Sequence, residues 1–454
     1  MTRKAVAVCA LVMAATSLRV AGEERFFDWT SLQFPKEEYE ARRQKLAQRL
    51  RLDGGGVYLT PSRPGQSDGS TFRQLDDFLY FTGLELPDSV FVLDTENGRA
   101  AVFAPRRDAR FENAARPNDF PGRALATDSL VTKVAGLDEV RPLEDFAESL
   151  RAVVAAGRPL RVSREPKEEA ALVPPFEPEG AMVASLQRLV PSTRFASASA
   201  AVAHGRMRKS PAEIDVLRRG ARLSARALEH AASFVVDGVD ERKLEAEVEA
   251  ACKREGSQRM AFASIVKSGP NALFPWRILA SHYDRRNRVM RSGEIVVFDV
   301  GCELDHYASD VGRTFPVWGR FNPDERRVLQ MELGVADAMI AAIRPGATLA
   351  QVQAAGVARI PEAERAHMQA ALYFGHHVGL SAGDPSVEAA PLEPGMVLTV
   401  EPWYYNRAAG LAAFTEDLVL VTATGAENLT ASLPRTPEAL EAVVTAGQKR
   451  SGRK

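Results

Sequence analysis

Two aspartates interrupt the most continuously apolar strand-like run of the chain. The segment FDVGCELDHYASD places Asp299 inside IVVFDVG and Asp310 at its close. A two-residue turn at Leu304 and Asp305 would set the two aspartates directly opposite each other on a hairpin. Opposed side chains have Cβ atoms about 4.5–5.5 Å apart, where like charges repel, and a buried unpaired carboxylate is costly or takes a proton. A divalent cation removes both penalties. The same residues admit another reading, a longer turn that lets the aspartates diverge, each capping a loop or meeting an arginine such as Arg313.

A second segment weighs toward the cation. Glu401 interrupts MVLTVEPWYY as Asp299 interrupts its own strand, and Glu416 lies on the returning AAFTEDLVLV. With a six-residue loop, Glu401 opposes Glu416. Between the two hairpins, YFGHHVGLSAGD offers one imidazole, His376. Four carboxylates and one histidine suit two hard divalent ions, manganese most naturally, better than a site rich in nitrogen and sulfur would. Two ions bridged this way lie about 3.5–4 Å apart and can share an activated water.

The elements that must position these residues fall into two units, an α/β fold class throughout. From Phe27 to Pro191 a charged helix (KEEYEARRQKLAQRLR) precedes short strands such as GGVYLT, DSVFVLD and RAAVFA, the pattern of one α/β domain. The Pro- and Glu-rich run from Glu165 to Gly180 reads as a long surface loop. We place an accessory domain at 27–199 and a second domain at 200–454. That second unit opens with Ser210, Pro211 and Glu213, an N-cap, a first-turn proline and a capping-box acid before an amphipathic helix. A further helix over Glu241–Lys253 leads to the first hairpin. Asn322, Pro323 and Glu325 then cap another long helix ahead of the second hairpin, so this half reads as two related α-then-β repeats.

The order DxG, SDxxRTFP, GHHVGL, LEPGMVLTVEP and TED strongly resembles the aminopeptidase P and prolidase group of dinuclear metallopeptidases, whose catalytic domain is the creatinase-like "pita-bread" α/β fold. The resemblance spans Arg206 to Val443 and implies Asp299, Asp310, His376, Glu401 and Glu416 as metal ligands. It also implies His282 as a substrate-binding and proton-moving histidine, and Glu401 as the residue handling the proton when a metal-bridging hydroxide attacks. RRQKLAQRL and FRQLDDFLYFTGLELPDSVFVLD resemble the accessory domain of aminopeptidase P, which helps assemble oligomers and roof the active site. The expected activity is removal of one N-terminal residue from peptides with proline second. The alternatives are a prolidase confined to dipeptides, or a weakened pseudoenzyme that binds a peptide or partner.

The chain departs from that group around the ligands. Leu372 and Gly383 stand where histidines are usual, and Phe414 stands where the group has an arginine that buttresses the metal site. Loss of a carbonyl-polarising donor costs on the order of 10²- to 10³-fold in rate. His377 is a candidate substitute for a missing histidine, or a packed neighbour of the ligand. Phe274 and Trp276 are candidates for apolar pocket lining or ordinary packing.

Lys plus Arg (58) nearly balances Asp plus Glu (59), so the charge calls for no nucleic acid or anionic membrane. Residues 1–22 place Arg3 and Lys4 before an apolar run from Ala5 to Ala15, a signal-peptide pattern too short to span a bilayer; a buried or frayed helix is the other reading. No later segment reads as transmembrane. An exported, periplasmic or secreted protein follows from the leader. Its removal takes Cys9 and leaves Cys252 and Cys302, expected as buried small apolar residues rather than a disulfide framework or zinc site.

Overall fold

The computed structural model describes residues 32–65, 71–105, 129–163, 178–274, 287–370, 374–387 and 389–450. In the first unit α1 (Lys36–Leu52) leads to β1 (Val57–Pro61), and α2 (Asp76–Thr82) leads to β2 (Val90–Asp94) and β3 (Ala100–Ala104). Then come α3 (Ser129–Ala135), β4 (Glu139–Pro142), α4 (Phe146–Ala155), β5 (Leu160–Val162), α5 (Pro178–Leu189) and β6 (Phe195–Ser197). They build one sheet in the order β4-β3-β2-β1-β5-β6, antiparallel through β1, β2 and β3 and parallel at its edges. Alternation along β2 sends Phe91 and Leu93 into the core with Tyr58 and Phe81. The run read as a loop to Gly180 turns helical earlier: α5 starts at Pro178, since proline in a first turn forfeits no hydrogen bond. Glu165–Glu177 lies outside the described residues.

α6 (Ser199–Met207) joins this unit to the second. α7 (Pro211–Ala232) begins with the expected capping box: the Glu213 N–H donates to Ser210 Oγ at 3.2 Å and the Ser210 N–H donates to the Glu213 carboxylate at 2.9 Å. α8 (Glu241–Arg254), capped by Asp240, packs along α7. Strands β7 (Arg259–Met260), β8 (Ile265–Ser268), β9 (Ile295–Val300), β10 (Cys302–Leu304), β11 (Tyr307–Ala308) and β12 (Val311–Pro316) follow. The plan repeats with α9 (Pro323–Ala342), again opened by a capping box at Asn322 and Glu325, and α10 (Leu349–Val357). β13 (Val397–Val400), β14 (Trp403–Asn406), β15 (Leu411–Phe414), β16 (Asp417–Val421), β17 (Ala426–Asn428) and α11 (Pro437–Arg450) close the chain. Val296–Phe298, Val335, Met339, Leu398 and Val400 share one buried core between helices and sheet. No helix of the described residues is long and apolar enough to cross a membrane.

Two expectations need correction. The first hairpin turns at Asp305 and His306, both at positive φ (50° and 69°), with Leu304 paired to Tyr307. That is the backbone a two-residue hairpin turn prefers. Moving the turn by one residue moves the pairing by two, so Asp299 faces Gly312 and stands diagonal to Asp310 rather than opposite it. Because the shift is even, both aspartates keep the same face. Second, Cys252 of α8 and Cys302 of β10 form a disulfide, with Cα atoms 5.7 Å apart. Fifty residues separate them, and only the packing of α8 against this sheet brings them together.

Candidate metal centre

Each candidate acid sits at or beside the end of a strand. Asp299 is in β9, Asp310 precedes β12, Glu401 follows β13 and Glu416 precedes β16. In the second hairpin Val400 pairs with Asp417 and Trp403 with Phe414, which leaves Glu401 and Glu416 facing each other as the sequence predicts. Asn406 pairs with Leu411, so the loop holds four residues, Arg407–Gly410. A bridge between Gly312 and Glu416 sews the hairpins together, the Glu416 N–H donating to the Gly312 carbonyl at 2.9 Å. Gly312 has to be glycine here, because a Cβ would run into the Phe414 ring.

His376 arrives on a segment that runs along β13. The Thr399 N–H donates to the His376 carbonyl at 2.8 Å, and the His376 N–H donates to Thr399 Oγ1 at 2.9 Å. Its Nε2 lies 3.3 Å from Glu401 Oε1 and 3.6 Å from Asp310 Oδ2. Asp310, His376 and Glu416 each offer an atom within 4.8 Å of the others. Asp299 joins through a hydrogen bond to Asp310. All four acids are buried, while the His376 side chain remains 37 % exposed and marks the open side.

The electrostatics are those of an unmet demand for positive charge. Burial pushes Asp299, Asp310 and Glu416 well above the ordinary carboxylate range, and their mutual repulsion, with that of Glu401, pushes them further. Asp310 Oδ1 and Glu416 Oε2 are buried without a hydrogen-bond partner among the described residues. Arg313 does not serve the aspartates: it is fully buried and donates to Asp417 at 2.6 Å and to the Gly312 and Pro434 carbonyls. Among the described residues no lysine or arginine forms an ion pair with the four acids. Oxygen-rich donors with orphaned lone pairs and one imidazole fit hard divalent cations.

The other sequence candidates divide. His377 is buried, and burial with the nearby Lys209 charge pushes its imidazole down to about 3, so it is neutral. Gly383 is exposed, with open space where a side chain would stand. Phe414 is fully buried and stacks on Trp403, ring centroids 3.4 Å apart. Phe274 sits at the surface with Arg407 over its ring. His282, Trp276 and Leu372 lie outside the described residues.

Sequence reasoning missed two donors on Glu401. Thr399 Oγ1 donates to Oε1 at 3.0 Å, and Trp403 Nε1 donates to Oε2 at 3.3 Å. The signal was present, since Thr399, Glu401 and Trp403 recur at the period of two that puts strand residues on one face. Also missed was a buried ion network behind the site. Arg206 of α6 donates to Asp77 at 2.8 Å, to Asp76 at 2.8 Å and to Asp384 at 2.5 Å, and Lys209 reaches Asp384 at 3.2 Å. Arg73 adds bonds to Asp76 at 2.9 Å and to Glu303 at 2.8 Å. The Asp384 N–H donates to the His377 carbonyl at 2.9 Å, so the accessory domain grips the segment that carries His376.

Comparison with known proteins agrees with this arrangement. Residues 215–423 match the metallopeptidase family M24, and residues 39–160 match the aminopeptidase P N-terminal domain. The chain is 29 % identical to Xaa-Pro aminopeptidase of Escherichia coli, over 91 % of this chain and 99 % of that protein. It is 27 % identical to the mitochondrial intermediate cleaving peptidase 55 of Arabidopsis thaliana, over 90 % and 83 %. Among solved structures, aminopeptidase P from E. coli with the inhibitor Pro-Leu superposes with a TM-score of 0.74 at 27 % identity, covering 92 % of this chain and 99 % of that one. A pita-bread catalytic half carrying these five side chains, preceded by that N-terminal domain, makes the chain a member of the M24 metallopeptidases of the aminopeptidase P type.

Proposed function

We propose that the protein is a metal-dependent aminopeptidase that releases the N-terminal residue from peptides with proline in second place. The observation that carries this reading is a cluster of four buried acids and one histidine to which no lysine or arginine is ion-paired among the described residues. Asp299, Asp310, His376, Glu401 and Glu416 would hold two divalent ions, and manganese suits their oxygen-rich donor set best. A solved relative described as zinc-substituted, E. coli aminopeptidase P, shows that such a site in that protein admits another metal. When bound, the ions would supply charge neutralisation, an activated water and polarisation of the scissile carbonyl.

Within this scheme Glu401, beside His376 at the open side, takes and passes the proton at its carboxylate. His282 is assigned to the substrate or the leaving proline nitrogen. A secondary amine leaving group has no amide N–H before cleavage, so ordinary peptidase contacts do not recognise it. The accessory domain supports a homo-oligomer, as in the group resembled. The leader at residues 1–22 supports export, and the Cys252–Cys302 disulfide adds to it, because disulfides persist in oxidising compartments.

Metal analysis of purified protein, followed by assay of Xaa-Pro and Xaa-Pro-Yaa peptides with added manganese or zinc, tests this. Cleavage of the tripeptide at its first bond is the expected result. Cleavage of dipeptides alone would make the protein a prolidase, and bound metal without hydrolysis would leave a binding protein. Turnover that survives Asp310→Ala would refute the metal mechanism.

A further inference from the structure

Glu401 is held differently from Asp310 and Glu416. Among the described residues Asp310 and Glu416 each keep a buried oxygen without a partner, whereas both oxygens of Glu401 accept a hydrogen bond, Oε1 from Thr399 and Oε2 from the Trp403 indole. A carboxylate with a donor on each oxygen has its plane fixed. A donor can fix that plane only if it cannot swing, and the indole is confined. The Phe414 ring lies 3.4 Å from it at 19°, and the Tyr405 ring lies 5.7 Å away at 20°. Phe414 and Trp403 are direct cross-strand partners, so the stack is built into the register of β14 and β15.

The clamp on the ring continues below Phe414. Thr314 Oγ1 accepts from the Phe414 N–H at 2.8 Å and donates to the Phe414 carbonyl at 3.0 Å. The space for the ring exists because Gly312 has no side chain. Gly312 is the residue that faces Asp299. One rigid path therefore runs from the first hairpin through Phe414 and Trp403 to a carboxylate of the second.

We propose that Trp403, confined by Phe414, is a positioning residue that orients Glu401 for cation binding and for its work on the substrate. This rests on the reading of Glu401 as a metal ligand. Partners that hydrogen-bond a ligating carboxylate typically account for about 10- to 100-fold in metal affinity or activity. Trp403→Phe keeps an aromatic ring in the stack and removes only the donor. Phe414→Leu keeps the donor and loosens the ring.

The test is a cobalt(II) titration of metal-free wild-type protein and both variants, followed by intrinsic fluorescence and by bound-metal analysis, with kcat and KM on an Xaa-Pro-Yaa peptide. Trp403→Phe is expected to weaken cobalt binding about 10- to 100-fold and to lower kcat with KM unchanged. It should also remove the indole contribution to the metal-induced fluorescence change. Phe414→Leu is expected to lose several-fold on the same readouts, and it carries the test alone if Trp403→Phe does not fold. Wild-type cobalt affinity and kcat in a folded variant would overturn the positioning role while leaving the proposed function standing. Failure of the wild-type protein to bind any metal would overturn both.

Discussion

Two of the buried carboxylate groups are opposites. Behind the site, Asp76, Asp77 and Asp384 share Arg206, with Arg73 and Lys209 alongside. In the site, Asp299, Asp310, Glu401 and Glu416 are as deeply buried and have no internal cation paired with them among the described residues. Depth alone therefore says little about function. What separates a structural ion network from a binding site is whether the fold supplies its own countercharge. The first group spans α2, α6 and the segment after His376, so its cations hold two units together. The second gathers acids at strand ends of two sewn hairpins, where the countercharge has to come from outside.

The pKa directions repeat this contrast within a few ångströms. Burial alone would raise Asp76, but Arg206 and Arg73 outweigh it and hold the carboxyl at about 2. Asp77 has Arg206 and a Ser163 hydroxyl but not Arg73, and there burial prevails and the carboxyl is raised. The Asp76 carboxylate beside it raises Asp77 further.

The comparison is broken most directly at Arg206. Arg206→Met leaves three buried acids without their main partner and is expected to cost about 3–5 kcal/mol of stability, read by denaturant unfolding. Next in size is metal removal: chelation of the loaded protein should lower stability by about 2.7 kcal/mol relative to free metal at 100 times Kd, and it should leave the Arg206 variant's deficit unchanged. The acid limb of stability comes third. The Asp76 carboxyl lies below its unfolded value, so its contribution, about 2 kcal/mol, is present above pH near 4 and is lost as pH falls through about 2. Unfolding midpoints measured across that window should lose this step in Asp76→Asn. The smallest effect has the opposite sign: in metal-free protein, Asp310→Asn relieves like-charge repulsion and should stabilise the fold by about 1 kcal/mol, read as a raised melting temperature, even as it abolishes metal binding.

The sequence by itself singled out the five candidate ligands, through four acids that interrupt or flank apolar strands and through the motif order shared with the family it resembles. It also determined the helix starts at Ser210 and Asn322, where capping chemistry is local, and the facing of Glu401 and Glu416, where strand alternation and loop length suffice. Tertiary structure decided the rest. The turn at Asp305 and His306 depends on which residues tolerate positive φ, and no hydrophobic pattern in this short hairpin encodes that. The Cys252–Cys302 disulfide, the Arg206 network and the Trp403 clamp join residues 50, 129 and 11 or more positions apart, or neighbours whose roles depend on a third strand. Sequence spacing specifies chemistry within an element. Countercharge, confinement and pairing between elements exist only once the chain has packed.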